Sequence, residues 1–323
     1  MKYIELGNTG IKVSAICLGG MSFGKPFEDF LPWVLNQEET IAMIKAAWDL
    51  GINFIDTANT YSHGTSEEFI AHSLKELGIP REKVILASKV YFNEGKLSRA
   101  AIRREIEGTL TRLNTTYLDL YQIHRFDYDT PMEETMETLH ELVKEGKVRA
   151  LGASAMFAYQ FHNLQLVAER NGWTKFSTMQ NHYNLLYRED ERELIPVCKQ
   201  YGVSLIPYSP LAGGHLSRAN WDEETKRSLT DKIMHRKYDP ERENDVLITA
   251  RVEELAKKHN VSMSNIALAW LFAKGVAAPI VGSSKIKHIE DAVKALDVVL
   301  TPEEVAYLEA PYHAHQISGA VQR

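Results

Sequence analysis

Short apolar runs alternate with amphipathic segments along almost the whole chain of 323 residues. Runs such as ICLGG at 16–20, NFID at 53–56 and LDLYQIH at 118–124 are typical of buried parallel strands, because they lack strict alternation of apolar and polar residues. Each is followed by a segment in which apolar residues recur at helical spacing. About eight such units follow one another, which is the number that closes an α/β fold of the (β/α)8 TIM-barrel type.

Capping signals mark where several helices begin. Asn36 with Glu39, and Thr301 with Glu304, have the spacing of a capping box, and Ser66 and Thr130 precede acidic first turns. Helices are predicted over 37–50, 66–77, 98–113, 131–145, 157–170, 189–201, between 246 and 274, over 287–296, and after Thr301.

Two additions to the repeating units are predicted at the ends of the chain. The segment KYIELGNTGIKVS at 2–14 resembles a hairpin that plugs the bottom of the barrel, and additional helices lie near the C-terminus. The charged stretch 218–245 is interpreted as a long loop on top of the barrel. With no linker between units, one domain over 1–323 is expected.

Composition excludes several classes of protein. The net charge of −6 and pI of about 6.1 argue against a nucleic-acid partner or an anionic membrane surface. No continuous apolar segment suggests a signal peptide or a membrane span. The two cysteines lack the spacing of a redox or zinc motif, and no metal site is expected. A cytoplasmic protein is the simplest expectation.

Polar residues end most of the predicted strands: Asp56, Lys89, His124, Ser154, Gln180, Tyr208 and Ser283. In a barrel of parallel strands, these C-terminal ends meet at one face, where active sites lie. Each residue alone is more often structural, since aspartates serve turns and lysines are mostly exposed. Their joint position predicts a polar pocket.

Asp56, Tyr61, Lys89 and His124 have complementary chemistry. A phenol with a pKa of about 10 is a slow proton donor at neutral pH, and a nearby ammonium lowers that pKa. A buried carboxylate keeps the ammonium charged, and a neutral histidine can hydrogen bond a carbonyl oxygen. Such a set can protonate an oxygen while hydride reaches the adjacent carbon.

The chain resembles the aldo-keto reductases, in the branch that includes the potassium-channel β subunits and their bacterial relatives. The residues that carry the resemblance are GINFIDTANTYSHGTSEE at 51–68, SKV at 88–90, YQIHR at 121–125, GASA at 152–155, MQNHYNLLYR from 179, YSPLAGGHL from 208 and PIVGSSKIKHIEDAV from 279. The resemblance implies that Tyr61 is the general acid, that Lys89 and Asp56 tune it, and that His124 orients the carbonyl.

The resemblance also implies an extended nicotinamide dinucleotide on the barrel top. The residues implied to bind it are Ser154 and Gln180 at the carboxamide, Tyr208 stacked on the ring, Ser209, Leu211 and Gly213 at the pyrophosphate, Arg218 in a covering loop, and Gly282, Ser283, Ser284, Lys285, His288 and Asp291 at the adenosine. Two positions depart from the pattern of the family. Ala155 stands where many relatives have an asparagine or arginine, and Ala292 stands where they often have an asparagine. Lys285 follows the hydroxyls of Ser283 and Ser284. A cation with two adjacent hydroxyls suits a 2′-phosphate, which favours NADPH, with NADH as a weaker alternative.

The substrate is less readable. Phe23, Phe30, Trp33, Tyr91 and Phe92 either form an aromatic wall for an apolar or aryl carbonyl compound or pack under their own loops. Arg125 either binds an anionic group of the substrate or pairs with a nearby aspartate, Asp127 or Asp129. A small-molecule carbonyl substrate is expected, and a homo-oligomer is left open.

Two other functions remain open at this point. Lys89 at a strand end also suits a Schiff-base lyase, although a neighbouring carboxylate keeps the lysine protonated and opposes that role. The resemblance to channel β subunits also allows a regulatory subunit that senses the nucleotide and turns over little substrate. A metal-dependent hydrolase is disfavoured, because no His-x-His or HExxH motif occurs.

Overall fold

Eight parallel strands form one curled sheet in the computed structural model, which describes residues 1–26, 32–221 and 229–320 except the side chain of residue 233. An antiparallel hairpin, β1 (Tyr3–Glu5) and β2 (Lys12–Ser14), precedes the sheet. The strands of the sheet are β3 (Cys17–Gly19), β4 (Phe54–Asp56), β5 (Ile85–Val90), β6 (Leu118–Ile123), β7 (Val148–Ser154), β8 (Phe176–Gln180), β9 (Ser204–Leu205) and β10 (Ile280–Val281). Their spatial order is β10-β3-β4-β5-β6-β7-β8-β9.

Backbone hydrogen bonds join the two edges of this sheet. The N–H groups of Ala277 and Ile280 donate to the carbonyl oxygens of Leu205 and Pro207 at 3.0 and 2.9 Å. The strands β9 and β10 therefore meet, and the predicted (β/α)8 barrel is confirmed.

Helices cover the outside of the barrel. Within the described residues they are α1 (Gln37–Asp49), α2 (Thr65–Glu76), α3 (Arg99–Arg112), α4 (Met132–Lys144), α5 (Ala158–Asn171), α6 (Leu194–Gln200), α7 (Lys232–Tyr238), α8 (Arg242–His259), α9 (Met263–Ala273), α10 (Ile286–Lys294) and α11 (Pro302–Glu309). The capping boxes predicted at Asn36 and Thr301 are both present.

Two predicted helix caps are wrong, because those hydroxyls bind elsewhere. Ser66 lies inside α2, which starts after the left-handed Gly64, and its Oγ donates to the carbonyl oxygen of Gly20. The residue before α4 is Pro131, while the Thr130 hydroxyl donates to the carboxylate of Asp127 at 2.7 Å. Both hydroxyls therefore bind residues in the loops that follow strands, Gly20 after β3 and Asp127 after β6.

The interpretation of 218–245 as a loop is also wrong in part. The segment contains α7 and the start of α8, while residues 222–228 lie outside the described part of the chain. Asp231 caps α7 by accepting a hydrogen bond from the backbone N–H of Met234 at 3.0 Å. A charged composition hid this helix, because it has few apolar residues to show a periodic face.

Two apolar clusters fill the molecule. One lies inside the barrel and includes Leu6 and Val13 of the hairpin, with Cys17, Phe54 and Leu120 from the strands. The other lies between the strands and the helices and contains Cys198. The hairpin therefore plugs the bottom of the barrel, as predicted, and the top is left for polar residues. Among the described residues, no helix is long and apolar enough to cross a membrane.

Candidate active site

The polar residues at the strand ends lie together at the top of the barrel. Asp56 ends β4, Lys89 is the penultimate residue of β5, and His124 directly follows β6. The parallel register pairs Lys89 with Gln122 and Ser154 with Gln180. The predicted grouping of these residues is therefore present in the structure.

The Lys89 ammonium uses all three of its protons. It donates to Asp56 Oδ2 at 2.5 Å, to the main-chain oxygen of Thr57 at 2.8 Å and to Tyr61 Oη at 3.1 Å. The side chain is 0% exposed. A fully bonded, buried ammonium has one orientation, and it holds the phenol oxygen in place.

Two glutamines orient the carboxylate beneath the lysine. Asp56 Oδ1 accepts from Gln122 Nε2 and from Gln180 Nε2, both at 2.9 Å. Gln122 was not singled out from the sequence. The available signal was a polar residue inside an apolar strand, two positions before His124 and so on the same face.

Electrostatics favour the charged form of Lys89. Burial alone lowers the pKa of Lys89, but the charge of Asp56, the phenol of Tyr61 and their hydrogen bonds outweigh it, so the pKa is raised. The lysine therefore stays protonated, which opposes the nucleophilic amine that a Schiff base needs.

The loop that carries Tyr61 is held in an uncommon backbone conformation. Ser62 and His63 have φ values of 47° and 54°, in the left-handed region that non-glycine residues rarely adopt. A Cβ at Gly24 would lie 2.5 Å from the Cβ of Ser62, so the loop after β3 passes very close. This strain accompanies the placement of the phenol over the lysine.

His124 faces the phenol as a neutral imidazole. Burial, with the charges of Lys89 and Arg125, lowers the pKa of His124 well below its usual value. Its ring lies 5.8 Å from the Tyr61 ring at 80°, and its buried Nδ1 has no hydrogen-bond partner among the described residues. The phenol and a neutral N–H donor therefore border the same space.

The residues predicted at the carboxamide and nicotinamide lie beside this group. The Ser154 hydroxyl donates to the main-chain oxygen of Gln180 at 2.9 Å. Tyr208 lies three residues beyond β9, with the His182 ring parallel to it at 5.2 Å and the Lys237 ammonium over it at 4.6 Å. A ring that stacked on the face beneath Lys237 would displace that ammonium.

The predicted pyrophosphate loop lies under α7. Its backbone has positive φ at Ser209, Ala212, Gly213 and Gly214, and Leu211 directly precedes the turn Ala212–Ser217. A Cβ at Gly213 would lie 2.6 Å from Met234 Cγ, so the helix packs directly on the loop. The Nε of Arg218 is buried here without a partner among the described residues.

The predicted adenosine residues surround the start of α10. Gly282, Ser284, Lys285 and His288 are exposed, while Ser283 is buried. The Ser283 hydroxyl accepts from the backbone N–H of Lys285 at 2.9 Å and contacts His288 Nδ1 at 3.0 Å. Asp291 instead faces α9, where Ser262 donates to its carboxylate and Asn265 Nδ2 to its main-chain oxygen.

The predicted aromatic wall is present in part. The Phe92 ring lies 4.9 Å from the His124 ring and 5.0 Å from that of Tyr91. Trp33 is 8% exposed. Phe23 lies fully inside the core, and Phe30 lies outside the described residues. Among these five aromatic residues, Phe92, 51% exposed, has its ring against the imidazole.

Known proteins resemble this chain over almost its whole length. The model of the Aldo/keto reductase family matches residues 15–312. The chain belongs to the aldo/keto reductase family. A versiconal hemiacetal acetate reductase of Aspergillus parasiticus is 44% identical over 97% of each chain. An aldo-keto reductase of Fusarium vanettenii is 45% identical over 98% of this chain and 92% of its own.

A solved structure shows the same architecture. The crystal structure of a thermostable aldo-keto reductase in complex with the inhibitor epalrestat has a TM-score of 0.77 and 30% identity, and covers 96% of this chain and 100% of its own. The protein is therefore an oxidoreductase of a family that generally uses NAD(P)H.

In this aldo/keto reductase, the C-terminal segment 310–320 also reaches the site. His182 Nδ1 contacts the Ser318 hydroxyl at 3.0 Å, and His182 Nε2 contacts the Tyr238 hydroxyl at 2.8 Å. A Cβ at Gly319 would lie 2.5 Å from Tyr208 Oη. His182 thus links α7 to the C-terminal segment beside Tyr208, which no local sequence signal indicated.

A cavity of about 260 Å³ opens beside the C-terminal segment of the aldo/keto reductase, between the connections that follow β7 and β8. Asp190 and Ser318 are among its lining residues. Across the described residues, no three His, Cys, Asp or Glu side chains converge in a way that could hold a metal ion.

Proposed function

We propose that this aldo/keto reductase transfers hydride from NADPH to the carbonyl carbon of an aldehyde or ketone, with Tyr61 as the proton donor. The observation that carries the proposal is the Lys89 ammonium, which is shared between the Asp56 carboxylate and the Tyr61 hydroxyl inside a buried site. His124, neutral and facing Tyr61, completes the set.

The chain's own residues handle the proton. A carbonyl oxygen between Tyr61 and His124 accepts hydrogen bonds from the phenol and from an imidazole N–H. NADPH, which Ser154, Gln180 and Tyr208 would hold, would supply the hydride to the adjacent carbon. The phenol proton then moves to the oxygen, and the Lys89 ammonium stabilises the negative charge that remains on the phenol oxygen. Asp56 and its two glutamines keep the ammonium in position.

The atoms around the pocket suit a nicotinamide nucleotide. Four buried polar atoms near it lack a partner among the described residues: His124 Nδ1, Asn181 Oδ1, Tyr208 Oη and Arg218 Nε. Buried polar atoms are normally hydrogen bonded, so such a group supports a polar ligand. Ser154, Gln180 and Tyr208 would hold the nicotinamide, and the turn at Gly213 the phosphates.

The preference for NADPH rests on Lys285. Its side chain is exposed beside Ser284 at the start of α10, and no carboxylate among the described residues pairs with it. A cation without a partner beside a hydroxyl supports binding of the 2′-phosphate, which NADH lacks. NADH is the weaker alternative.

The partners and the branch of the family stay proposals. A small carbonyl compound, a cytoplasmic location and the relation to potassium-channel β subunits are retained as predictions, with the oligomeric state left open. The aromatic rings of Tyr91 and Phe92 near His124 favour an apolar or aryl compound.

Tyr61→Phe tests the proton donor. We expect turnover with aryl aldehydes to fall by about 10²–10⁴-fold, the usual contribution of a positioned acid. NADPH affinity, measured by fluorescence quenching, should stay within about twofold, because the substitution removes a hydroxyl that faces the carbonyl. Near-normal turnover of the variant would refute the assignment.

Wild-type activity separates the alternatives. Consumption of NADPH with a panel of aldehydes, ketones, sugars and keto acids supports the reductase. Tight NADPH binding with negligible turnover on every compound favours a regulatory subunit. A borohydride-trapped substrate adduct on Lys89 would instead indicate a Schiff-base lyase.

A further inference from the structure

Arg125 directly follows His124, and no ion pair joins its guanidinium to a carboxylate of the described residues. Its guanidinium lies 5.5 Å from the centre of the Phe92 ring and donates to the main-chain oxygen of His124 at 2.5 Å. The two nearby aspartates that the sequence offers as partners, Asp127 and Asp129, both pair with Lys96, at 3.9 and 2.5 Å. The guanidinium therefore remains available on the rim of the site.

Lys237 is a second such cation, and it comes from α7. Its ammonium lies 4.6 Å from the centre of the Tyr208 ring, and no ion pair joins it to a carboxylate of the described residues. The next residue, Tyr238, fixes this end of α7, because its hydroxyl contacts His182 Nε2 at 2.8 Å and accepts from Asn184 Nδ2 at 3.1 Å. When a nicotinamide stacks on Tyr208, the Lys237 ammonium has to move, but the fixed main chain keeps it within one side-chain length of the pocket.

The positive charge of Arg125 disfavours the charged form of Lys237. Burial, with the charge of Arg125 second, lowers the pKa of Lys237 to about 7, and the carboxylate of Asp231 offsets this only in part. Like charges beside each other in a partly buried site destabilise it unless an anion lies between them. Two cations without a carboxylate partner among the described residues are therefore suited to bind an anion.

We propose that Arg125 and Lys237 form an anion subsite that binds a carboxylate of the substrate while its carbonyl group lies between Tyr61 and His124. Arg125 follows His124 directly in the chain, so a bound carboxylate lies on the same side as the reacting carbonyl. The substrate class is then a carbonyl compound that also carries a carboxylate, with Phe92 against its apolar part. This inference rests on the proposed reductase function.

A matched pair of aldehydes tests the subsite. Terephthalaldehydic acid and its methyl ester have the same reacting carbonyl and differ in the charge of the distal group. The wild-type enzyme should prefer the acid, by kcat/KM, about tenfold or more, as a charge-assisted pair allows. Arg125→Gln and Lys237→Gln should each bring this ratio towards one. Arg236→Gln, an exposed residue on the same helix, is the control and should keep the wild-type ratio.

Benzoate binding and NADPH affinity are two further measurements. They show whether the cations bind a substrate carboxylate or a nucleotide phosphate, and whether the subsite or the reductase function is refuted. Calorimetric titration of the NADP-loaded protein with benzoate and with benzamide measures the subsite without turnover, and benzoate binding should weaken in both variants. Equal use of acid and ester by the wild type, or benzoate binding that ignores both substitutions, overturns the subsite. Loss of NADPH affinity in Lys237→Gln with an unchanged ratio also overturns it, since the cation then serves a nucleotide phosphate. Absent turnover with intact benzoate selectivity refutes the reductase and keeps the subsite.

Discussion

At the scale of single residues, the buried pair of Lys89 and Asp56 serves both stability and reaction. Lys89→Met should lower turnover by at least about 100-fold, because the phenol loses its cation. It should also lower the free energy of unfolding by about 3–5 kcal/mol, because the carboxylate, 3% exposed, stays buried without its counter-charge. Steady-state kinetics and urea unfolding measure the two effects.

The double variant separates them. Adding Asp56→Asn to Lys89→Met removes the unpaired charge, so part of the lost stability should return while turnover stays low. Turnover that recovers together with stability would show that Lys89 acts only as a structural residue.

Lys285 is the residue on which cofactor preference depends. Lys285→Ala should raise the Michaelis constant for NADPH about tenfold and leave that for NADH nearly unchanged, because a single charge-assisted contact to the 2′-phosphate is lost. Lys287→Ala, two residues further along and also exposed, is the matched control. Equal effects of Lys285→Ala on the two cofactors would contradict the assignment.

At the scale of elements, the C-terminal segment 310–320 is held by a titratable contact. His315 Nε2 lies 3.1 Å from Oδ1 of Asp245 on α8, and the backbone N–H of His315 donates to Glu189 Oε1 at 2.9 Å. Burial alone lowers the pKa of His315, but the hydrogen bond and charge of Asp245 outweigh it, so the pKa is raised. The segment is therefore sensitive to pH.

The direction of this sensitivity follows from linkage. A raised folded pKa of His315 means that the contact is fully present below the unfolded pKa of about 6.5, while Asp245 is ionised, and is lost as pH rises through the folded value. Burial raises the pKa of Asp245, so protonation of that carboxyl ends the contact at low pH. Hydrogen exchange of the amides of residues 313–320, corrected for the intrinsic effect of pH, should thus show less protection above the folded pKa of His315 than below it. Asp245→Asn should remove most of this dependence, and an unchanged profile in that variant would contradict it.

The elements show where sequence patterns were sufficient. Short apolar runs located the strands, and their polar ends brought Asp56, Lys89 and His124 together, because parallel strands share one end. The patterns missed α7, whose stretch is mostly charged, and therefore missed Lys237 beside Tyr208. Contacts between segments far apart in the chain leave no local periodicity.

The same limit applied to side-chain hydrogen bonding. A serine before acidic residues predicted the start of α2, but the Ser66 hydroxyl donates to the main-chain oxygen of Gly20, which follows the neighbouring strand β3. The resemblance placed Asp291 at the adenosine, which stays a prediction, but it did not indicate that the Asp291 carboxylate accepts from Ser262. Tertiary partners decide such cases, and a single sequence does not specify them.

At the scale of the whole molecule, the hairpin supports the fold from the end opposite the site. Leu6, with 0% exposure, packs inside the barrel with Phe54 and Leu120. Leu6→Ala should lower the free energy of unfolding by about 2–5 kcal/mol, since it leaves a cavity in that cluster. Urea unfolding measures the loss, while kcat of the folded enzyme should stay near the wild-type value.

An exposed residue provides the comparison. Val299 is 80% exposed, so Val299→Ala should change the unfolding free energy by less than about 0.5 kcal/mol. A large drop in kcat for Leu6→Ala at full folding would show that the hairpin communicates with the top of the barrel.

Each apolar cluster of the barrel contains one buried thiol, Cys17 inside the strands and Cys198 under the helices. Burial raises the pKa of both thiols, so neither forms the reactive thiolate while its cluster is closed. An alkylating reagent therefore labels each cysteine only when its own cluster opens, and the labelled peptide identifies that cluster. The two native cysteines therefore report separately on partial unfolding inside the barrel and under the helices, with no engineered probe.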